Sequence, residues 1–288
     1  LASDGNLIEM TSRLIGNALV IAMLMMIVVG CNPPVPSEKG TEFPSTDQMR
    51  EKGPVQAYER MLRLRVNRQG KVHYAGIRSD SAPLTDYLAY LDEKLPLLGE
   101  APEAAQLAFW INYFNAAVLR LILEHYPVVS VLEIGAAISD VNRINYDSLN
   151  RSHPNHPFDM VIAEAGNKKL SLSLIRDSII RGQFNEPRVH FALVDGTASS
   201  PRLRRQIYVS ENLGNQLDAA AKEFFGQAEK NVLNPTNPKL SPLMRKYRPD
   251  FGPDEGSTVD FVNQYIPIRI RPDAEVTYLD FDWRLNGY

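Results

Sequence analysis

The sequence predicts an α+β fold, a single domain in which a buried central helix packs against a mostly antiparallel sheet. Three observations lead there. Residues 104–126 are apolar on nearly every side of a helix, which is the pattern of a core helix. Amphipathic helical patterns precede it at 48–66 and 84–95. Strand-like runs gather later, at 158–165, 188–194 and 275–283.

The N-terminal part reads differently. Met10-Thr11-Ser12-Arg13 is a short basic start, and Leu14 to Gly30 carries no charge. That run has the length of a signal-peptide core and is shorter than most spanning helices. It closes on Val28-Val29-Gly30-Cys31, which resembles the bacterial lipobox: an aliphatic residue, a small residue at the cut, then cysteine. The resemblance implies a lipid on the Cys31 thiol and an acylated new amine, and several chains together anchor firmly. Asn32 follows where an aspartate would retain a lipoprotein in the inner membrane, so the expected place is the outer membrane, facing the periplasm. Pro33, Pro34, Pro36 and Pro44 mark a semi-extended tether. The expected organisation is therefore 1–30 leader with upstream residues, 31–47 acylated cysteine and tether, and 48–288 one globular domain.

Within the domain, 48–66 places Tyr58, Met61 and Leu62 on one side of a helix, and Asn67 to Gly70 is a turn. Lys71 to Tyr74 alternates like a short strand. The 104–126 helix is interrupted by Asn112, Asn115 and Arg120, which argues against a membrane span, and Pro127 ends it. Phe158 to Ala165 reads as a strand turning at Gly166-Asn167, and Ser171 to Ile180 as a helix. Leu213 to Phe225 is an amphipathic helix; Met244 to Tyr247 and Val259 to Tyr265 are short helical pieces.

Composition narrows the function. The chain is 44% hydrophobic with a formal net charge of −3, which offers no basic footprint for nucleic acid. Its one cysteine excludes an internal disulfide and a cysteine metal cluster. His153, His156 and Asp159 lack clear further ligands, so no metal is expected. No phosphate loop, dinucleotide fingerprint or nucleophile elbow appears, and no cofactor is expected.

The polar residues that remain define candidate sites. Asn112 and Asn115 lie three apart on the buried helix and need partners. They either pin a loop or floor a ligand pocket. His190 lies in an apolar run followed by the small, polar loop Asp195 to Pro201, whose backbone amides suit a ligand. Arg188, Arg202 and Arg204 offer an anion clamp. Asp282, on a mostly apolar run, is the candidate to orient His190, and Ser200 or Ser199 is the nucleophile only where the ring reaches it at hydrogen-bond distance.

Several motifs in order resemble the family called domain of unknown function 547. They are Ala108-Phe109-Trp110-Ile111-Asn112-Tyr113-Phe114-Asn115, His125-Tyr126-Pro127, Arg188-Val189-His190-Phe191, and Tyr278-Leu279-Asp280-Phe281-Asp282-Trp283. Val72-His73-Tyr74 and Leu170-Ser171-Leu172 also fit, and the resemblance runs from about residue 55 to 286. The family is bacterial and plant, and its name assigns no activity. Many bacterial members carry two cysteines after the histidine; Asp195 and Ser200 stand there here, which argues against a cysteine nucleophile.

Two functions follow as expectations. The first is a membrane-tethered envelope protein binding an unidentified ligand or partner in a polar pocket of Trp110, Asn112, Asn115, Arg188 and Ser199 beside His190. The second is a hydrolase or transferase of papain- or transglutaminase-like layout, with His190 as base, Ser200 as nucleophile and Asp282 as orienter.

Overall fold

A computed structural model describes residues 43–44, 46–134, 156–165 and 168–288, all within one unit, Glu42–Tyr288. The leader, Cys31, most of the tether, His153 and the Gly166-Asn167 turn lie outside the described residues.

Helices lead, as the periodicity predicts. They are α1 (Thr46–Arg50), α2 (Gly53–Arg65), α3 (Tyr74–Ser79), α4 (Ala82–Lys94) and the 23-residue α5 (Glu103–His125). Pro54 and Pro83 open α2 and α4, where their missing N–H costs no hydrogen bond. The Tyr58 and Tyr87 rings stack across α2 and α4 at 4.1 Å. α5 starts with an acid, Glu103, and ends at Tyr126, which is extended ahead of Pro127. Its most apolar window is 83% buried among the other elements, the environment of a core helix.

The sheet is much smaller than expected. β1 (Val161–Ala165) and β2 (Lys168–Ser171) form an antiparallel pair, and β3 (Lys239–Leu240) and β4 (Thr277–Tyr278) a two-residue parallel pair. β1 is docked on the core helix through the Arg120 guanidinium, which donates to the Ile162 carbonyl. The predicted "mostly antiparallel sheet" is therefore corrected to a helix-rich α+β fold with two small ladders.

Two predicted strands account for the difference. Residues 188–194 begin as a 3-10 turn, Pro187–Phe191. Pro187 presets φ for a turn, and Glu186 Oε1 caps it by accepting from the Arg188 N–H at 3.1 Å. The backbone beyond the turn then pairs with a side chain rather than a strand: Asn115 Nδ2 donates to Ala192 O (2.9 Å) and Asn115 Oδ1 accepts from Val194 N (2.8 Å). The C-terminal run keeps strand form only at Thr277–Tyr278. Thereafter it is stitched to scattered segments, with Ala198 N donating to Arg284 O, Asn286 N to Gly196 O, and Val72 N to Asn286 O.

Later helices are the short α6 (Arg181–Gln183), α7 (Leu213–Phe225), α8 (Pro242–Lys246), α9 (Arg248–Phe251) and α10 (Glu255–Asn263). The expected 171–180 helix is instead a π-helix, Leu174–Ile180, running into α6. Such wide turns are frequent at functional sites. The apolar interior has two clusters: one around α2, α4 and α5 that includes Val189, and one around α7 to α10 that includes Phe191. His190 lies between those two residues in sequence, so the Pro187–Phe191 turn joins the clusters.

Candidate functional site

The π-turn, α6, α9 and the His190 turn bring five polar side chains into one chain of contacts. His190 Nε2 lies 2.7 Å from Asp250 Oδ2 on α9, and the histidine side chain is only 1% exposed. Asp250 receives a bidentate fork from Arg181, with Nε to Oδ2 at 2.6 Å and Nη2 to Oδ1 at 2.8 Å. Arg181 Nη1 also donates to Asp177 Oδ1 at 3.1 Å, and Arg176 donates to Asp177 Oδ2 through Nε and Nη2. Tyr247 stacks face to face on the imidazole at 3.9 Å and 14°, and Phe251 meets its edge. Arg181 also lies over the Tyr247 ring, at 4.9 Å.

These contacts fix protonation. Burial drives the His190 pKa below its ordinary value, and the two nearby arginines add to that, outweighing the Asp250 carboxylate. Burial pushes the other way on Asp250, but the hydrogen bonds from Arg181 and His190 hold its carboxyl well below the usual range. A neutral ring beside an ionised carboxylate donates through Nε2–H. Nδ1 is then the basic nitrogen, the atom a general base would use.

The ring borders a cavity of about 20 Å³ shared with Arg176, Asp195, Phe114 and Tyr247, room for a single water and not for a substrate. Its polar lining includes Arg176, raised above its ordinary pKa by Tyr247 and Asp177 against an opposing burial effect. It also includes Asp195, whose Oδ1 accepts from Thr197 N and Oγ1.

The residues predicted from sequence do not gather around His190. Asp282 is the principal correction: its carboxylate binds Arg284 of its own segment, from Nε at 3.0 and 3.1 Å, so Asp250 and not Asp282 orients the imidazole. Ser200 is 1% exposed, and its hydroxyl donates to Thr197 O at 2.7 Å. Ser199 Oγ accepts from Asp282 N at 2.7 Å. The Ser200 hydroxyl thus closes the 197–200 loop on itself, and the Ser199 hydroxyl holds that loop against the C-terminal segment. Arg188 is an internal ion-pair residue, bound to Glu186 and to Asp218 (2.7 Å) rather than open as an anion clamp.

Asn112 and Asn115 follow the loop-pinning alternative. Asn112 donates to Tyr208 O and accepts from Tyr208 N, each at 2.8 Å, as Asn115 does for 192–194. Trp110 is buried against Phe109 and Tyr113, edge to face. Among the described residues no three histidine, cysteine or acidic side chains converge as for a metal; His156 Nδ1 accepts from Phe158 N instead.

Sequence reasoning missed Asp250, Arg181, Asp177, Arg176 and Tyr247. One signal was present: Asp177 and Arg181 stand four apart inside a run of isoleucines, the spacing of a helical ion pair in an otherwise apolar element. Nothing marks Asp250, in Arg-Pro-Asp-Phe, as the partner of a histidine sixty residues earlier.

Comparison with known proteins matches residues 98–225 to the family model described as "Protein of unknown function, DUF547". No curated protein and no solved structure matches the chain. The matched segment takes in all of α5, the π-turn, His190 and α7, and stops short of Asp250 and the C-terminal motif around Asp282. Over residues 98–225, this chain is similar to that family.

Proposed function

We propose that the chain is a lipoprotein of the bacterial envelope, anchored through Cys31 and most simply placed on the periplasmic side of the outer membrane, whose domain acts by binding a ligand or partner. The observation that carries the binding reading is the engagement of His190 by Asp250, while the Ser200 hydroxyl is bonded within its own loop. A serine nucleophile needs its base within hydrogen-bond reach. The lipobox-like Val28-Val29-Gly30-Cys31 supports the anchor.

A second reading rests on one specific feature. A neutral histidine oriented by an ionised carboxylate beside a water-sized cavity is the arrangement that activates water, so a hydrolase using His190 and Asp250 without a serine is the alternative.

Palmitate labelling of cells producing the chain tests the anchor. Label on the wild type and none on Cys31→Ser supports it; equal labelling of both rejects it. Fluorophosphonate labelling tests the chemistry at Ser200. The binding reading expects none, and labelling abolished by Ser200→Ala would restore the serine hydrolase.

A further inference from the structure

A second concavity, of about 340 Å³, lies away from His190 between the end of α2, the turn after it and the 202–206 segment. That is the small end of the range for ligand pockets. Its construction is local and rigid. Asn67 Oδ1 accepts from Gln69 N (2.9 Å) and Lys71 N (3.0 Å), which folds the turn. Gly70 completes it at φ +74°, and a Cβ there would lie 2.5 Å from Arg202 Cβ, so the turn and the 202–206 segment pack backbone to side-chain stem. The segment is held just beyond by Glu59 Oε1, which accepts from Ile207 N at 3.1 Å, and by Asn112 on Tyr208.

The lining is five arginines, Arg63, Arg68, Arg202, Arg204 and Arg205, against one acid, Glu223. The whole chain is net negative, so this concentration is not a by-product of a basic protein. Arg63 pairs with Glu59, and Arg202 with Glu223 at 3.1 Å. Arg68, Arg204 and Arg205 have no carboxylate partner among the described residues. Arg204 lies over the Tyr208 ring at 5.4 Å, and Arg205 Nη2 donates to Arg63 O. Arg202 Nε and Arg204 Nε are buried with no hydrogen-bond partner among the described residues. Buried donors of that kind call for an acceptor.

We propose that this pocket binds a phosphate-bearing group, a diphosphate or a phosphate ester. Three guanidiniums without acids suit a multiply charged anion, and the planar fork of arginine matches phosphate oxygens two at a time. None of its lining residues belongs to the His190 network. Its phosphate comes either from a soluble molecule or from a lipid headgroup.

The test is calorimetric titration of the full chain with inorganic pyrophosphate at low salt, alongside retention on phosphatidylglycerol vesicles. Saturable pyrophosphate binding, weakened roughly tenfold in Arg68→Gln/Arg204→Gln and unchanged in the remote Arg271→Gln, supports a soluble phosphate ligand. Vesicle retention that falls in the double variant, with no pyrophosphate binding, assigns the same chemistry to a headgroup; the leader is common to both proteins and cancels. Arg68→Gln alone, on the exposed turn, reads the same direction if the double variant unfolds. Pyrophosphate and vesicle binding both absent, or both indifferent to these arginines, overturns the proposal.

Discussion

His190 Nε2 and Asp250 Oδ2 are 2.7 Å apart, and the same carboxylate is clasped by both sides of the Arg181 fork. A histidine in the turn that joins the two apolar clusters is therefore tied to α9, and through Arg181 to the π-turn.

Asp250→Asn tests the weight of that tie. The amide keeps the size and loses the charge, leaving Arg181 partly buried with one acid, Asp177, in place of two. The expected loss is about 2–3 kcal/mol in urea unfolding, the scale of charge-assisted hydrogen bonds removed from one side. A change under about 0.5 kcal/mol would mean that the network contributes little beyond packing.

Acid should weaken the fold through two histidines. His190 and His156 both have pKa values lowered on folding, chiefly by burial, His156 to about 4 from 6.5. The unfolded chain then binds more protons below 6.5, so stability falls as pH drops from about 6.5 towards 4. Each histidine contributes up to about 1.4 kcal/mol per pH unit in its window. His156→Gln should reduce that slope by about one proton's share, measured as the urea midpoint against pH. A slope identical to wild type would show that His156 titrates normally in the folded chain.

Asn115→Ala removes the side chain that stands in for a neighbouring strand at 192–194. It leaves Val194 N and Ala192 O in the core without that partner, at an expected cost of about 2–4 kcal/mol. Asn112→Ala should behave alike at Tyr208. Guanidinium unfolding reads both. A cost under about 1 kcal/mol would mean that the segment finds other partners.

The same amides explain what the sequence makes legible. α4, α5 and α7 follow from periodicity because a helix satisfies its backbone locally, and their bounds match the apolar pattern closely. The Arg188–Val194 run has strand composition but no strand beside it. Its hydrogen bonds come from Asn115, far away in sequence, and Pro187 starts it as a turn. Gln216 treats Ile207 and Val209 the same way, and Asn263 treats Ile270, donating and accepting once each. Pairing of a side-chain amide to backbone, whether across the chain as for Asn115 or seven to nine residues away as for Gln216 and Asn263, leaves no periodic trace. For the site, His190 was visible as a polar residue in an apolar run. Its partner was not, because Asp282 and Asp250 differ only in which element folds against the histidine.

The most direct measurement is the nitrogen NMR spectrum of the His190 ring in the wild type and in Asp250→Asn, Asp282→Asn and Ser200→Ala. The account expects a neutral, Nε2-protonated ring at pH 7 that is disturbed by Asp250→Asn and indifferent to the other two. A ring that responds to Asp282→Asn or Ser200→Ala and ignores Asp250→Asn would contradict it and return the serine triad to the front.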